Sequence, residues 1–109
     1  MKLKVAKVLF LAHFSKEDYD EILKNPEQEL GEYSNYTQGR DYLFCEPALK
    51  VVALAKLTFA LYEERLLTKP TADWALGCFS NAIDYMLEND DAEFEPELLT
   101  DRCNIPSIS

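Results

Sequence analysis

The segment from Pro47 to about Leu67 carries the strongest helical pattern in the chain and constrains the fold most. Proline suits the first turn of a helix, because its missing N–H would have no intrahelical acceptor there. Further leucines fall on other sides of the segment, so we expect a central helix that is buried over more than half of its circumference. Apolar residues recur along it at spacings of four and three: Ala48, Val52, Ala55, Phe59, Tyr62 and Leu66.

The amino-terminal third of the chain predicts two helices. Residues 3–14 are apolar on almost every side, so periodicity does not separate a buried helix from a buried strand. Helix is favoured, since the chain offers no clear set of partner strands. Ser15 then caps a second helix, which has acidic residues in its first turns and ends at Asn25-Pro26.

The remaining segments predict another helix, a long loop and a tail. Thr71 is expected to cap a helix that continues to about Asn89, with Trp74 among its inward-facing residues. Residues 31–45 are rich in turn formers and lack an apolar stripe, which indicates a loop. Residues 103–109 are expected to form a frayed tail.

These patterns together predict one acidic, all-α domain that spans residues 1–109. We expect a small bundle or an orthogonal array of four to five helices. Only 3 Gly and 5 Pro are present, which leaves little turn chemistry for a many-stranded sheet. The alternative is an α+β fold with a small sheet formed by residues 3–14 and 33–44.

Charge is distributed unevenly along the chain, whose formal net charge is −9. Residues 1–16 carry four lysines and no acid, whereas residues 17–32 carry seven acids and one lysine. Residues 84–101 carry eight acids and no Lys or Arg. Direct nucleic-acid binding is therefore not expected, because phosphate contacts need a basic surface. A basic protein partner fits better, since electrostatic steering speeds its encounter.

Part of the acidic run 84–101 lies where helix physics disfavours it. Acids near a helix end at about Asn89 meet the partial negative charge of the helix C-terminus, so local stability does not explain them. We predict a partner-binding surface here, with Phe94 as an apolar anchor inside a charged rim. The alternative is a solvated helix end and loop. The predicted contact residues are Glu88, Asp90, Asp91, Glu93, Phe94 and Glu95.

The segment 33–42 is a second candidate contact region. It is composed largely of Tyr, Ser, Asn, Gly and Arg, which binding loops favour. Tyr33, Tyr36 and Arg40 are its predicted contact residues. The alternative is an ordinary connection whose tyrosines cover the core. The acids of the segment 17–32 are candidates to join either surface.

Residues able to carry out chemistry are few and scattered. His13 is the only histidine, and its apolar surroundings favour a partly buried, hydrogen-bonded residue over a general base. Cys45, Cys78 and Cys103 lack metal-ligand spacing, and their odd number is typical of free thiols in a reducing compartment. No run of 18 apolar residues occurs. We predict no enzymatic activity, metal, cofactor or membrane span, and a cytoplasmic location.

These features predict a protein-binding inhibitor. The first hypothesis is an immunity protein that neutralises a basic, nuclease-type bacterial toxin through an acidic surface, since carboxylates can cover a cationic cleft. The second is a phage-type anti-defence protein that mimics the charge of DNA, which the charge-balanced segment 33–83 weakens. The third is a homo-oligomeric regulatory or structural helical protein, such as a homodimer, with an interface on the helix 47–67.

Overall fold

Five α-helices make up the part of the chain that the structure describes, residues 2–38 and 48–88 of a computed structural model. The predicted all-α class is confirmed. Residues 3–11 and 33–38, two parts of the alternative sheet, are helical. The helices are α1 (Leu3–Leu11), α2 (Lys16–Lys24), α3 (Pro26–Gln38), α4 (Ala48–Glu63) and α5 (Lys69–Glu88).

Helix α4 forms the centre of the core, as its sequence pattern predicted. Residues 51–55 are buried in succession, so no side of the helix faces solvent along this stretch. Neighbours on several sides cover it, because α4 packs against both α1 and α5, and α5 packs in turn against α3. Thr58 is buried among these apolar residues, and its hydroxyl donates to the carbonyl of Leu54 at 2.8 Å.

A Schellman motif ends helix α4 at Glu63, about four residues before the predicted end. The backbone N–H of Leu66 donates to the carbonyl of Leu61 at 2.8 Å, and that of Arg65 donates to the carbonyl of Tyr62 at 3.0 Å. Arg65 has a φ of 62°, in the left-handed region that favours glycine. The chain reverses here, so α5 packs back along α4.

A capping box begins helix α2 at the predicted position. The hydroxyl of Ser15 accepts a hydrogen bond from the backbone N–H of Asp18 at 3.1 Å. The carboxylate of Asp18 accepts one from the backbone N–H of Ser15 at 3.3 Å. The helix ends at Lys24 and Asn25 is its C-cap, as the Asn25-Pro26 pair predicted.

Helix α3 occupies residues that the sequence predicted as the loop 31–45. Residues 31–38 are helical, and residues 39–45 lie outside the described part of the chain. Pro26 begins the helix, where a proline is tolerated. Leu30 and Ser34 are both buried at a spacing of four, and the Ser34 hydroxyl donates to the Leu30 carbonyl at 2.6 Å. This buried stripe of Leu30 and Ser34 was not predicted from the sequence, because Ser34 is polar.

Helix α5 begins two residues before Thr71, the predicted cap. The carbonyl of Thr68 accepts the first intrahelical hydrogen bond, so Thr68 holds the N-cap position. Pro70 lies in the first turn, where its missing N–H costs little. Trp74, predicted to face inward, is 45% exposed. The predicted tail 103–109 lies outside the described residues.

Candidate functional site

The predicted contacts of the acidic run fall at the boundary of the described structure. Helix α5 extends to Glu88, so a helix does lead into the run. The other contacts predicted there lie outside the described residues, as does Arg40. Tyr36 lies in helix α3. The predicted residues outside the described part are Arg40, Asp90, Asp91, Glu93, Phe94 and Glu95.

Tyr33 lies in helix α3 and not in a loop. Its ring meets that of Phe14 edge-on, with ring centroids 6.3 Å apart and an interplanar angle of 86°. The Phe14 ring stacks in turn on that of Phe10 at 4.3 Å. Tyr33 is therefore half-buried against the core.

Four carboxylates of helices α2 and α3 come together on one surface, which we call the α2–α3 acidic surface: Asp18, Glu21, Glu29 and Glu32. Each helix contributes two of them at a spacing of three, which places them on one face. Burial raises the pKa of the Glu29 carboxyl, and the negative charges of Glu32, Glu21 and Asp18 raise it further. Four acids thus share a region of concentrated negative potential.

None of these four carboxylates forms an ion pair within the described part of the chain. Within residues 2–35 and 49–83, no lysine or arginine forms an ion pair with any of them. Asp18 is engaged in the capping box of α2, and Glu32 accepts a hydrogen bond from the Gln28 side chain at 3.5 Å. Neither partner neutralises a charge, so the surface remains strongly negative at neutral pH.

The sequence signalled these acids without showing that they converge. The segment 17–32 stood out by charge, and the spacing of three in both Asp18–Glu21 and Glu29–Glu32 was a usable sign of a shared helix face. Their convergence was missed because the segment 31–45 was predicted to be a loop. Glu32 then fell in the expected loop. Once α3 continues beyond Gly31, Glu32 returns to the face of Glu29.

Glu27, an acid of the same segment, has a structural task. Its carboxylate accepts hydrogen bonds from the backbone N–H of Thr68 at 2.6 Å and from the Thr71 hydroxyl. Burial raises the pKa of the Glu27 carboxyl, but the hydrogen bonds from Thr71 and Thr68 outweigh it, so the net pKa shift is downward. Glu27 therefore fixes α3 to the amino end of α5.

The residues considered for chemistry are dispersed. His13 is half-buried beside a groove between α1 and α4. Cys78 is buried, and burial raises the pKa of its thiol, which keeps it protonated and weakly nucleophilic at neutral pH. Among residues 2–38 and 48–88, no group of three or more His, Cys, Asp or Glu is placed to hold a metal ion. Cys45 and Cys103 lie outside the described residues.

Comparison with known proteins gives no relative. No protein-family model matches the chain, and no curated protein or solved structure matches it. No helix in the described ranges is sufficiently long and apolar for a membrane crossing.

Proposed function

We propose that the protein is an inhibitor that binds a basic protein, acting as an immunity protein against a nuclease-type bacterial toxin. The observation that supports this proposal is the α2–α3 acidic surface, in which three carboxylates raise the pKa of a fourth. The other candidate contacts stay as predicted from the sequence: Glu88, Asp90, Asp91, Glu93, Phe94, Glu95, Tyr33, Tyr36 and Arg40.

A nuclease is a suitable target because its substrate is a polyanion. Its cleft must carry Lys and Arg side chains that contact phosphates. Carboxylates offer the same cations charge-assisted hydrogen bonds, which with arginine are often bidentate. An acidic surface of this kind can therefore occupy a nuclease cleft or cover its rim, and attraction between the opposite charges speeds association.

The acids of the α2–α3 surface are held on an ordered backbone, which favours specific binding. The capping box of Ser15 and Asp18 fixes the start of α2. The contact between Glu27 and Thr68 fixes α3 against α5. Little backbone ordering is then needed when a partner binds, so more of the electrostatic attraction appears as affinity.

Affinity capture with the full chain as bait tests this proposal. Glu21→Lys with Glu32→Lys reverses two exposed charges of the acidic surface, and Asp90→Lys with Asp91→Lys reverses two in the acidic run. Glu64→Lys with Asp73→Lys is the matched control, since it changes net charge equally at exposed positions outside both segments. We expect the unaltered chain and the control to retain a basic protein whose nuclease activity they inhibit.

The charge reversals decide which carboxylates bind. Loss of capture with either reversed pair, at an unchanged helical circular-dichroism spectrum, identifies that surface as the contact. Equal capture by all four baits, or capture of no nuclease, contradicts the proposal. Mimicry of DNA charge is the second candidate, and competition between duplex DNA and the chain for a captured non-nuclease target distinguishes it.

A homo-oligomer is the third candidate. The interface predicted on the helix 47–67 is buried at residues 51–55, and exposed apolar residues of α1 offer another, although the lysines beside them would repel those of a second copy. Val5, Val8 and Leu11 of helix α1 are exposed large apolar residues on one short helix. Such a cluster is a common component of interfaces. Light scattering of the full chain tests this candidate, since a strict monomer over the micromolar range contradicts it.

A further inference from the structure

A groove runs between helices α1 and α4 and has an apolar lining. Its volume is about 510 Å³. Val5 and Val8 are 56% and 69% exposed along it, so the groove is open to solvent. Its described lining is Lys4, Val5, Val8, Leu9 and His13 from the α1 side and Leu49, Val52 and Lys56 from α4.

One contact between α4 and the segment that follows α1 indicates where the charges of the groove lie. The Lys50 ammonium lies 4.7 Å from the centroid of the Phe14 ring, so the amino end of α4 meets the carboxyl end of α1. Lys56, almost two turns further along α4, therefore lies towards the amino end of α1. Lys4 is found at that same end. One end of the groove thus has a lysine on each wall, and His13 lies at the other.

We propose that the α1–α4 groove binds an amphipathic helix of a partner protein, with apolar side chains facing the valines and acidic side chains facing Lys4 and Lys56. This site is distinct from the α2–α3 acidic surface and takes a partner of opposite charge. The incoming helix is expected to direct its C-terminus towards the two lysines, because the partial negative charge of a helix C-terminus favours cations.

The dimensions of the groove match a helix. Leu49 and Lys56 are seven residues apart on α4, which corresponds to about 10 Å along its axis. The apolar anchors of a bound amphipathic helix at positions i, i+3 or i+4 and i+7 span the same distance. A groove between two packed helices also offers ridges and grooves of side chains to a third.

Charge disfavours a second copy of this chain as the occupant. The α1 helix of another copy would bring its own Lys2, Lys4 and Lys7 against the lysines of the groove. The negative charge of the α2–α3 acidic surface would complement the lysines of the groove. That surface lacks apolar anchors, however, since every exposed residue of α2 and of α3 up to Asn35 is polar. A partner helix that combines acids with apolar residues satisfies both requirements.

Fluorescence anisotropy with a designed peptide tests the proposal on the full-length chain. The probe is a labelled 18-residue helix with leucines at i, i+3 and i+7 and glutamates on both flanks. The control peptide has glutamines in place of the glutamates. We expect the acidic probe to bind about tenfold more tightly than the control at low salt, and the difference to shrink as salt rises.

Three variants locate the binding site. Lys4→Glu with Lys56→Glu is expected to weaken binding of the acidic probe at least tenfold. Val8→Ser is expected to weaken it severalfold without lowering the thermal midpoint, because Val8 is exposed. Lys16→Glu with Lys24→Glu is the matched control, since it reverses two exposed lysines of α2 outside the groove lining and is expected to leave binding unchanged.

Several results overturn the proposal. Absence of probe binding, or binding that the Lys4 and Lys56 reversals leave unchanged, removes the groove as a helix site. If the unaltered chain forms dimers and the Val8→Ser variant is monomeric, the groove binds a second copy of the chain. Binding to anionic phosphatidylglycerol vesicles in place of the probe assigns it to a membrane. A carbodiimide cross-link in the monomer between Lys4 or Lys56 and residues 84–101 assigns it to the chain itself.

Discussion

The carboxylate of Glu27 accepts a hydrogen bond from the backbone N–H of Thr68 at 2.6 Å, although the two residues are 41 positions apart. Thr68 is the N-cap of helix α5, whose third residue is Thr71. In a capping box, a Glu or Gln at that third position would supply the acceptor. Thr71 has no carboxylate, and Glu27 of helix α3 provides one. A local capping interaction is thus replaced by a tertiary one.

Replacement of Glu27 by alanine is expected to lower the free energy of unfolding by about 1–3 kcal/mol. The Thr68 N–H loses its acceptor and α3 loses a contact with α5. Urea denaturation of the unaltered chain and the variant measures the difference. Asp20→Asn, which removes an exposed carboxylate of α2, is the control and should stay within about 0.5 kcal/mol. A similar loss in both variants would argue against a specific role for Glu27.

The contribution of Glu27 to the free energy of unfolding is expected to disappear at acidic pH. Because its pKa is lower in the folded protein than in the unfolded chain, its stabilisation is fully present above about pH 4.3, the ordinary glutamate pKa. It is lost as the pH falls through the lowered folded-state pKa. Denaturation of Glu27→Gln and the unaltered chain at pH 7 and in a series below pH 4 tests this. A stability difference that is independent of pH would contradict the assignment.

Glu29 is expected to show the opposite pH dependence. Its folded-state pKa is raised, so its charge destabilises the native protein above that pKa. This destabilisation decreases as the pH falls from the raised folded-state pKa towards the ordinary glutamate pKa. Glu29→Gln should therefore stabilise the protein at pH 7 by a few tenths of a kcal/mol. Added salt should reduce the gain, and a destabilised variant would show that Glu29 makes favourable contacts.

Arg65→Gly is expected to stabilise the protein by about 0.5–1 kcal/mol. Arg65 occupies the left-handed position of the Schellman motif, where a side chain is strained and glycine is not. The larger backbone entropy of glycine in the unfolded chain offsets part of the gain. Arg65→Ala is the control, because it removes the long side chain and keeps the strain. Equal stability of the glycine and alanine variants in thermal and urea denaturation would exclude this explanation.

Cys78 is expected to react slowly with iodoacetamide at pH 7.5 in the native protein and rapidly in urea. It is buried, and burial raises the pKa of its thiol, so both access and thiolate population are low. Peptide mass spectrometry resolves its labelling from that of the other cysteines. Rapid native labelling at Cys78 would show that helix α5 opens locally around it.

Features that depend on neighbouring residues in the sequence were predicted correctly. Ser15 caps α2 as predicted, in a capping box with Asp18 three residues later, and the buried pattern of α4 is visible in its own residues. The start of α5 was predicted wrongly, because it depends on a residue that is distant in the sequence. Thr71 was expected to cap α5, but Thr68 is the N-cap. The acceptor for the backbone N–H of Thr68 is the carboxylate of Glu27 in α3.

The acidic character of the α2–α3 surface was evident from the sequence, whereas the convergence of its four residues was not. The excess of acids in the segment 17–32 was evident from composition alone. Their union into one surface required α3 to pass through Gly31 and carry Glu32 back beside Glu29. A glycine in a helical pattern favours an end locally, and the burial of Leu30 and Ser34 overrides that preference. Tertiary packing of this kind cannot be predicted from local residue preferences.

The bond between Glu27 and Thr68 also determines how the molecule opens. The first turn of α5 loses this acceptor whenever α3 detaches, so we expect its amino end to open together with α3. Amide hydrogens at that end should exchange only in openings that also release α3, and should share their exchange free energy with α3. Such a result would show that these two helices, although distant in sequence, unfold as a single cooperative element.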